Sequence, residues 1–478
     1  MKLPELLLPA WDLTKAYYAF EHWADAIYCW VPMFALRTRA NVFTEKDIVE
    51  IVNFANENWK QVYITLNWFP HQNMIKALRK HLEFLRDAKP HAIILADAWV
   101  LELANEICPD VPKHLSVQAS TVSESWIRFW AKNWVTRIIL AREIAIKEVK
   151  KIHDMFPEME LEYFVHWAVC MAYSWRCLLS NFMASRDANR WMCAHSCRWN
   201  YQVFDEEWRK FDLSEREKTQ KEDWNLEWKE SFLPWFIVDS IDWEAISIRE
   251  FEKTHIWEEE QRQWEFIPVE QDIHWTHIMS SRDMCMIEYL KEIMDSWVCS
   301  LKVEWRNKTF YYAMSVARAY RKALDDIAEW KEFDENLWKE IHATANRWFF
   351  AWFVNWKPRT EWQQYWANRS TSDFEFAWVV IEKDLEKKMI KITPKNKIEI
   401  NSELILVWKK IADDKKFKVE KIIFDKNLNN KNPENLEECD VLHWWNWNWY
   451  IWVSDEIFDS IKDWMVFRQV VKNAWLIK

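Results

Sequence analysis

Residues 44–67, TEKDIVEIVNFANENWKQVYITLN, hold the unit that recurs along the chain from residue 5 to residue 166. Thr44 and Asp47 stand at the spacing of a capping box, in which side chains meet the amides that open a helix. Ile48, Ile51, Val52 and Ala55 follow on one stripe, the face such a helix buries. QVYITLN then reads as a short strand rich in β-branched and aromatic residues. Similar runs lie at 5–10 (ELLLPA), 26–30 (AIYCW), 92–97 (AIILAD), 114–118 (HLSVQ), 135–140 (VTRIIL) and 161–166 (LEYFVH), with amphipathic stretches between them. An eighth, SLKVEWR (300–306), follows a helix-like stretch around 283–296. Strands alternating with helices imply a parallel sheet, and eight such units imply a TIM-like β/α barrel. A doubly wound open sheet is the alternative.

Barrel enzymes carry their chemistry on the loops at the C-terminal ends of the strands. Arg37 and Arg39 follow the second strand, Asn67 and His71 the third, and Gln118 ends the fifth. His166 and Cys170 follow the seventh, and Glu304 and Arg306 end the last. Any one of these taken alone is equally a solvated loop residue. Their convergence on one end is what marks a site.

Four of the nine cysteines, Cys170, Cys177, Cys193 and Cys197, fall in residues 162–199. Their spacing, C-x6-C-x15-C-x3-C, is not the paired C-x2-C of a zinc finger or ribbon. Soft thiolates drawn from separate loops suit an iron–sulfur cluster. A structural zinc site or buried free thiols are the bland alternatives. Cys29, Cys108, Cys299 and Cys439 read as core or incidental thiols.

The composition is abnormal in one respect: 39 Trp and no Gly. Average Gly usage is about 7%, and turns need it. Tryptophans occupy places where glycine belongs, as in HWWNWNWYIWVSD (443–455). Overpacking costs about 1–3 kcal/mol per site against a total stability of about 5–15 kcal/mol. Most Trp letters are therefore expected to stand for Gly, through a reassigned stop codon or deliberate substitution; a few, such as Trp199, are expected to be genuine.

With glycine restored, Glu162 to Ser180 reads E-x-F-x-x-G-A-V-C-x-x-x-x-G-x-C-x-L-S, and 185–193 (SRDANRWMC) ends G-x-C. These stretches resemble the signature of the peptidase U32 family, as do ELLLPAWD (5–12), FALRTRA (34–40) and SLKVEWR. The segment HIMSSRDMCMIEYL (277–290) resembles the family's N-S-K-D-L-C. The resemblance implies an iron–sulfur cluster of the 4Fe-4S type, ligated by Cys170, Cys177, Cys193 and Cys285, with Cys197 as the alternative fourth ligand. Relatives the sequence resembles hydroxylate a tRNA wobble uridine, a 23S rRNA cytidine or a quinone precursor without molecular oxygen. The tRNA branch is linked to a prephenate-like co-substrate. By the same resemblance Arg37, Arg39, Gln118, His166 and Glu304 would be catalytic, and Asn181, Arg186, Arg190 and Arg306 would bind substrate. A U32-type peptidase or collagenase is the other class, with Cys170 and His166 as nucleophile and base. Neither H-E-x-x-H nor G-x-S-x-G occurs, even with Gly restored.

The 478 residues carry a net charge of −11, which names no nucleic-acid partner by itself. No apolar run is long enough to span a bilayer, and an odd number of cysteines without an apolar leader points to a reducing cytoplasm. The expected organisation is a catalytic barrel over 1–345 with a charged insertion at about 205–260, a linker at 346–374, and a small all-β, barrel-like domain over 375–478. Residues 383–431 hold 14 Lys against 8 Asp and Glu, a local +6. Such a surface fits tRNA phosphates and fits equally a solvated face.

Overall fold

Near-continuous apolar runs form strands only where both faces are covered, and the runs above do so. In the computed structural model they are β1 (Glu5–Ala10), β2 (Ala26–Trp30), β3 (Gln61–Leu66), β4 (Ala92–Leu95), β5 (Lys113–Leu115), β6 (Arg137–Ile139) and β7 (Glu160–Ala168). The structure describes residues 3–30, 43–168, 254–258, 266–271, 276–277, 282–304, 309–344, 346–351, 372, 374–386, 388–425, 436–442, 449–462 and 465–470. Between the strands run α1 (Leu13–Glu21), α2 (Glu45–Glu57), α3 (Ile75–Ala88), α4 (Ala98–Ile107), α5 (Glu124–Lys132) and α6 (Ile146–Met155). The capping box forms as expected: Asp47 N donates to Thr44 Oγ1 at 3.2 Å and Thr44 N to Asp47 Oδ2 at 2.8 Å. Ile48, Ile51, Val52 and Ala55 are the buried residues of α2.

A three-stranded antiparallel sheet follows, β8 (Thr254–Glu258), β9 (Phe266–Gln271) and β10 (Thr276–His277). The first of these lies inside the stretch read as a solvated excursion. Next come β11 (Asp283–Cys285), α7 (Leu290–Asp295) and β12 (Ser300–Val303). β12 pairs in parallel with β1 on one side and β7 on the other. That closes an eight-stranded parallel barrel and excludes the open sheet. β6 accompanies β7 only as far as Glu162. Past that point β11 takes the freed edge antiparallel, setting Cys285 opposite His166. Two helices follow, α8 (Phe310–Ala328) and α9 (Leu337–His342). Part of the expected linker belongs to the barrel sheet: β13 (Phe349–Phe350) pairs with β11.

The C-terminal part is a curled antiparallel sheet. Its strands are β14 (Phe374–Asp384), β15 (Met389–Pro394), β17 (Glu403–Val407), β18 (Lys415–Lys418), β19 (Lys421–Asp425), β20 (Leu436–Cys439), β22 (Trp449–Trp452) and β23 (Val466–Val470), in the order β18-β17-β23-β14-β15-β22-β19-β20. β16 (Ile398–Glu399) and β21 (Val441–Leu442) form a separate pair. IEINSELILVW (398–408) forms two strands rather than one, because Asn401 turns at φ +62° between β16 and β17.

The sheet is locked to the barrel by three buried charges, Arg318, Glu340 and Arg468, and the half-buried Asp414. Arg318 of α8 reaches Asp414 at 2.5 Å and Glu340 of α9 at 3.1 Å. Arg468 of β23 meets the same Glu340 at 2.8 Å and Asp414 at 3.4 Å. Two cations and two carboxylates thus neutralise one another across the junction, where burial would otherwise penalise each.

Five helices end in a similar way. Trp23, Trp59, Trp134, Trp297 and Trp330 each follow the C-cap and sit at φ 73°, 56°, 66°, 61° and 61°. At four of them the next amide bonds back five residues, as Ala24 N to Ala19 O at 3.0 Å and Lys60 N to Ala55 O at 2.9 Å. This is the Schellman turn, whose left-handed residue is usually glycine. A bulky residue there is an outlier. All five indoles are exposed, Trp59 to 96% and Trp330 to 86%, so burial does not explain them, although Trp297 stacks on His153 with ring centroids 5.3 Å apart.

Candidate active site at the barrel mouth

Side chains from non-adjacent strands can meet only inside a barrel, and polar ones do so here in two tiers. The lower tier lies at the strand N-termini. Arg137 of β6 donates to Glu5 of β1 at 2.8 Å and to Glu160 of β7 at 2.8 Å, and lies 3.4 Å from Glu162. Lys302 of β12 donates to Glu162 at 2.7 Å. Tyr63 and Ser300 donate to Glu5 at 2.6 and 2.8 Å. Burial raises the Glu5 pKa, opposed by Arg137. Burial lowers that of Lys302, opposed by Glu162. His114 is driven well below its ordinary value by burial, with Arg137 and Lys302 adding to the effect, and stays neutral. This tier sits at the end of the barrel that serves stability rather than chemistry.

The upper tier is at the strand C-termini. Glu304, 1% exposed, is ion-paired with Arg142 from the turn after β6. The Arg142 guanidinium lies 4.6 Å from the Phe164 ring centroid, and Glu304 N donates to His166 O at 3.0 Å. His166 is buried, with Nδ1 3.3 Å from the Tyr320 hydroxyl. Cys285 Sγ lies 3.5 Å from the same hydroxyl. Burial pushes the Cys285 thiol up to about 12, the Tyr320 hydroxyl acting in the opposite sense. Across the mouth, Asn67 Nδ2 donates to Ser116 Oγ at 3.0 Å, and the same oxygen accepts from Gln118 N at 3.3 Å. Gln118 is fully buried, whereas His71 is exposed.

The structure therefore brings Glu304, His166 and Cys285 together, and sets Gln118 and Asn67 at the same end of the barrel. Arg37, Arg39, Cys170, Cys177, Asn181, Arg186, Arg190, Cys193, Cys197 and Arg306 lie outside the described residues. Among the described residues no three His, Cys, Asp or Glu side chains gather into a metal site. The one candidate cluster ligand described, Cys285, is a thiol in a dry pocket with a hydroxyl beside it, on the strand paired with the one that leads to Cys170. That surrounding fits a cluster sulfur. Cys29 and Cys108 are buried, as expected of core thiols. Sequence reasoning missed Arg142, Tyr320, Arg137 and Lys302. A signal was present for the strand residues: Ser300-Lys302-Glu304 and His114-Ser116-Gln118 place polar groups at every second position of otherwise buried strands.

A family model, Peptidase family U32, matches residues 11–364. The chain belongs to peptidase family U32. It is 34% identical to tRNA hydroxylation protein P of Haemophilus influenzae over 89% of each chain. It is also 34% identical to tRNA hydroxylation protein P of Escherichia coli, over 84% of this chain and 86% of that one. With tRNA hydroxylation protein P1 of Bacillus subtilis the identity is 28%, over 83% and 81%. The U32 assignment agrees with a closed barrel whose upper tier takes Glu304, His166 and Cys285 from segments that carry the family signature. No helix among the described residues is long and apolar enough to cross a membrane.

The lysine-rich face of the C-terminal sheet is less open than its composition implies. Lys388, Lys397 and Lys421 each meet a carboxylate at 2.9 Å, and Lys409, Lys415 and Lys416 are also ion-paired. Among the described residues of 383–431, six lysines are thus engaged by carboxylates. Exposed pairs of this kind are worth at most about 1 kcal/mol, so an RNA phosphate can still compete for them.

Proposed function

We propose that this U32 protein is an RNA hydroxylase, acting at C5 of the tRNA wobble uridine without molecular oxygen, with a prephenate-like co-substrate. The observation that carries the proposal is the likeness to tRNA hydroxylation proteins over a span longer than the barrel. A 4Fe-4S cluster held by Cys170, Cys177, Cys193 and Cys285 would supply one-electron chemistry when bound. The chain's own residues do the rest. Gln118, beside Asn67 and Ser116 at the mouth, offers an amide of the kind that hydrogen-bonds a pyrimidine edge, and Asn181 is assigned the same task. Arg37, Arg39, Arg186, Arg190 and Arg306 provide guanidiniums for RNA phosphates or a donor's carboxylates. Glu304 is held by Arg142 as a buried carboxylate, so it orients a substrate hydroxyl or amide as an acceptor. His166 lies close enough to the same wall to hold a proton at its ring nitrogen.

The deciding experiment is nucleoside analysis of tRNA from a strain lacking the gene. Loss of 5-hydroxyuridine-derived nucleosides, restored by the wild-type gene under anaerobic growth, supports the proposal. Unchanged tRNA with a missing ribosomal hydroxycytidine moves the substrate within RNA. Collagen or gelatin cleavage by the pure protein, with both RNAs intact, refutes hydroxylation in favour of proteolysis.

A further inference from the structure

Tyr320 projects from α8 to the point where β7 and β11 meet, and its ring is wholly buried. A phenylalanine would fill the same apolar space, whereas a buried hydroxyl costs stability unless it is hydrogen-bonded. This hydroxyl has four polar neighbours. It donates to Val165 O at 2.7 Å and accepts from Met286 N at 3.3 Å. His166 Nδ1 lies at 3.3 Å and Cys285 Sγ at 3.5 Å. With the phenolic hydrogen on Val165 O, the Cys285 S–H is the donor of the sulfur contact.

We infer that Tyr320 is a positioning residue whose hydroxyl donates to the Cys285 sulfur once that sulfur ligates iron, and which keeps His166 at the same point. The inference rests on the cluster reading above. Ligation removes the thiol proton and turns sulfur from donor into acceptor. The hydroxyl hydrogen then turns from Val165 O to Sγ, both being within its reach. Val165 O is not abandoned, because Met286 N also donates to it at 2.8 Å. The hydroxyl still donates one hydrogen bond, the S–H bond to it is given up with the thiol proton, and the wall between β7 and β11 need not move. Hydrogen bonds to cluster sulfurs stabilise the more negative, reduced state and so raise the potential.

The test uses full-length protein purified without oxygen, in wild-type, Tyr320→Phe and Cys285→Ala forms. Tyr320→Phe is expected to keep its iron and sulfide, to show a more negative midpoint potential, and to shift the electron-paramagnetic signal of the reduced cluster. Replacing tyrosine by 3-fluorotyrosine, a stronger hydrogen-bond donor, is expected to move the potential the other way. In cluster-free protein the Cys285 S–H stretching band, assigned by its loss in Cys285→Ala, is expected to rise in frequency in Tyr320→Phe. An unchanged potential, signal and S–H band in Tyr320→Phe overturns the role of Tyr320 while leaving the cluster reading intact. Full iron in Cys285→Ala overturns Cys285 as a ligand and this inference with it. Wild-type protein without iron overturns both the inference and the cluster reading.

Discussion

Replacing Trp23, Trp59, Trp134, Trp297 and Trp330 together by Gly should make the protein more stable, not less. Deleting five indoles normally removes apolar burial, but these are 42%, 96%, 77%, 64% and 86% exposed. Each occupies the left-handed position after a helix C-cap. That conformation costs a residue with a Cβ about 1–2 kcal/mol. Glycine returns about 0.5–1 kcal/mol of that through the greater freedom of the unfolded chain. The net gain is roughly 0.5–1 kcal/mol per site, or about 3–5 kcal/mol for the set if distant sites add. Against a total of about 5–15 kcal/mol, the effect is large. Urea denaturation of the two full-length forms measures it as a higher midpoint. Equal or lower stability of the glycine form would refute the argument that these turns demand glycine. Peptide mass spectrometry of protein from its native host tests the same point at the level of the letters: glycine is expected at these five positions.

Three further outcomes are expected. Glu340→Ala removes the more deeply buried of the two carboxylates that Arg318 and Arg468 share and leaves them Asp414, so urea unfolding should show a loss of about 3–5 kcal/mol, the usual size for a broken buried pair. Stability should also fall in mild acid. His22 and His81 have pKa values lowered by burial to about 4, from 6.5; the unfolded chain takes up their protons below pH 6.5 while the folded chain does not until about 4. Each therefore removes up to about 1.4 kcal/mol per pH unit across that window, and urea midpoints at pH 7 and pH 5 in His22→Gln/His81→Leu protein should differ less than in wild type. At the mouth, Arg142→Met removes the guanidinium ion-paired with Glu304, and hydroxylated nucleoside formed per unit protein is expected to drop at least tenfold, with far-ultraviolet dichroism unchanged; retained activity would detach this ion pair from the site.

The barrel was legible because its determinants are local. Thr44 and Asp47 lie three residues apart and close their own hydrogen bonds. The buried stripe of α2 is set by the helical period, and the eight strand runs by continuous apolar composition. Glycine-type turns could be anticipated as well, since a left-handed φ disfavours a bulky side chain wherever it occurs. The polar interior could not be anticipated in full. Ser300 and Glu5 are 295 residues apart, and Arg142 and Glu304 are 162 apart. Alternation along β12 says that Ser300, Lys302 and Glu304 share a face, but not which strands face them across the closed sheet. The sequence places Glu304 at the end of the last strand, and only the fold gives it a buried arginine. Tyr320 carries no mark in the sequence; only the meeting of α8 with β7 and β11 puts its hydroxyl between a histidine and a cysteine. Local chemistry determined the elements, whereas the pairing of buried charges required closure of the barrel, which alone brings distant strands within hydrogen-bond reach.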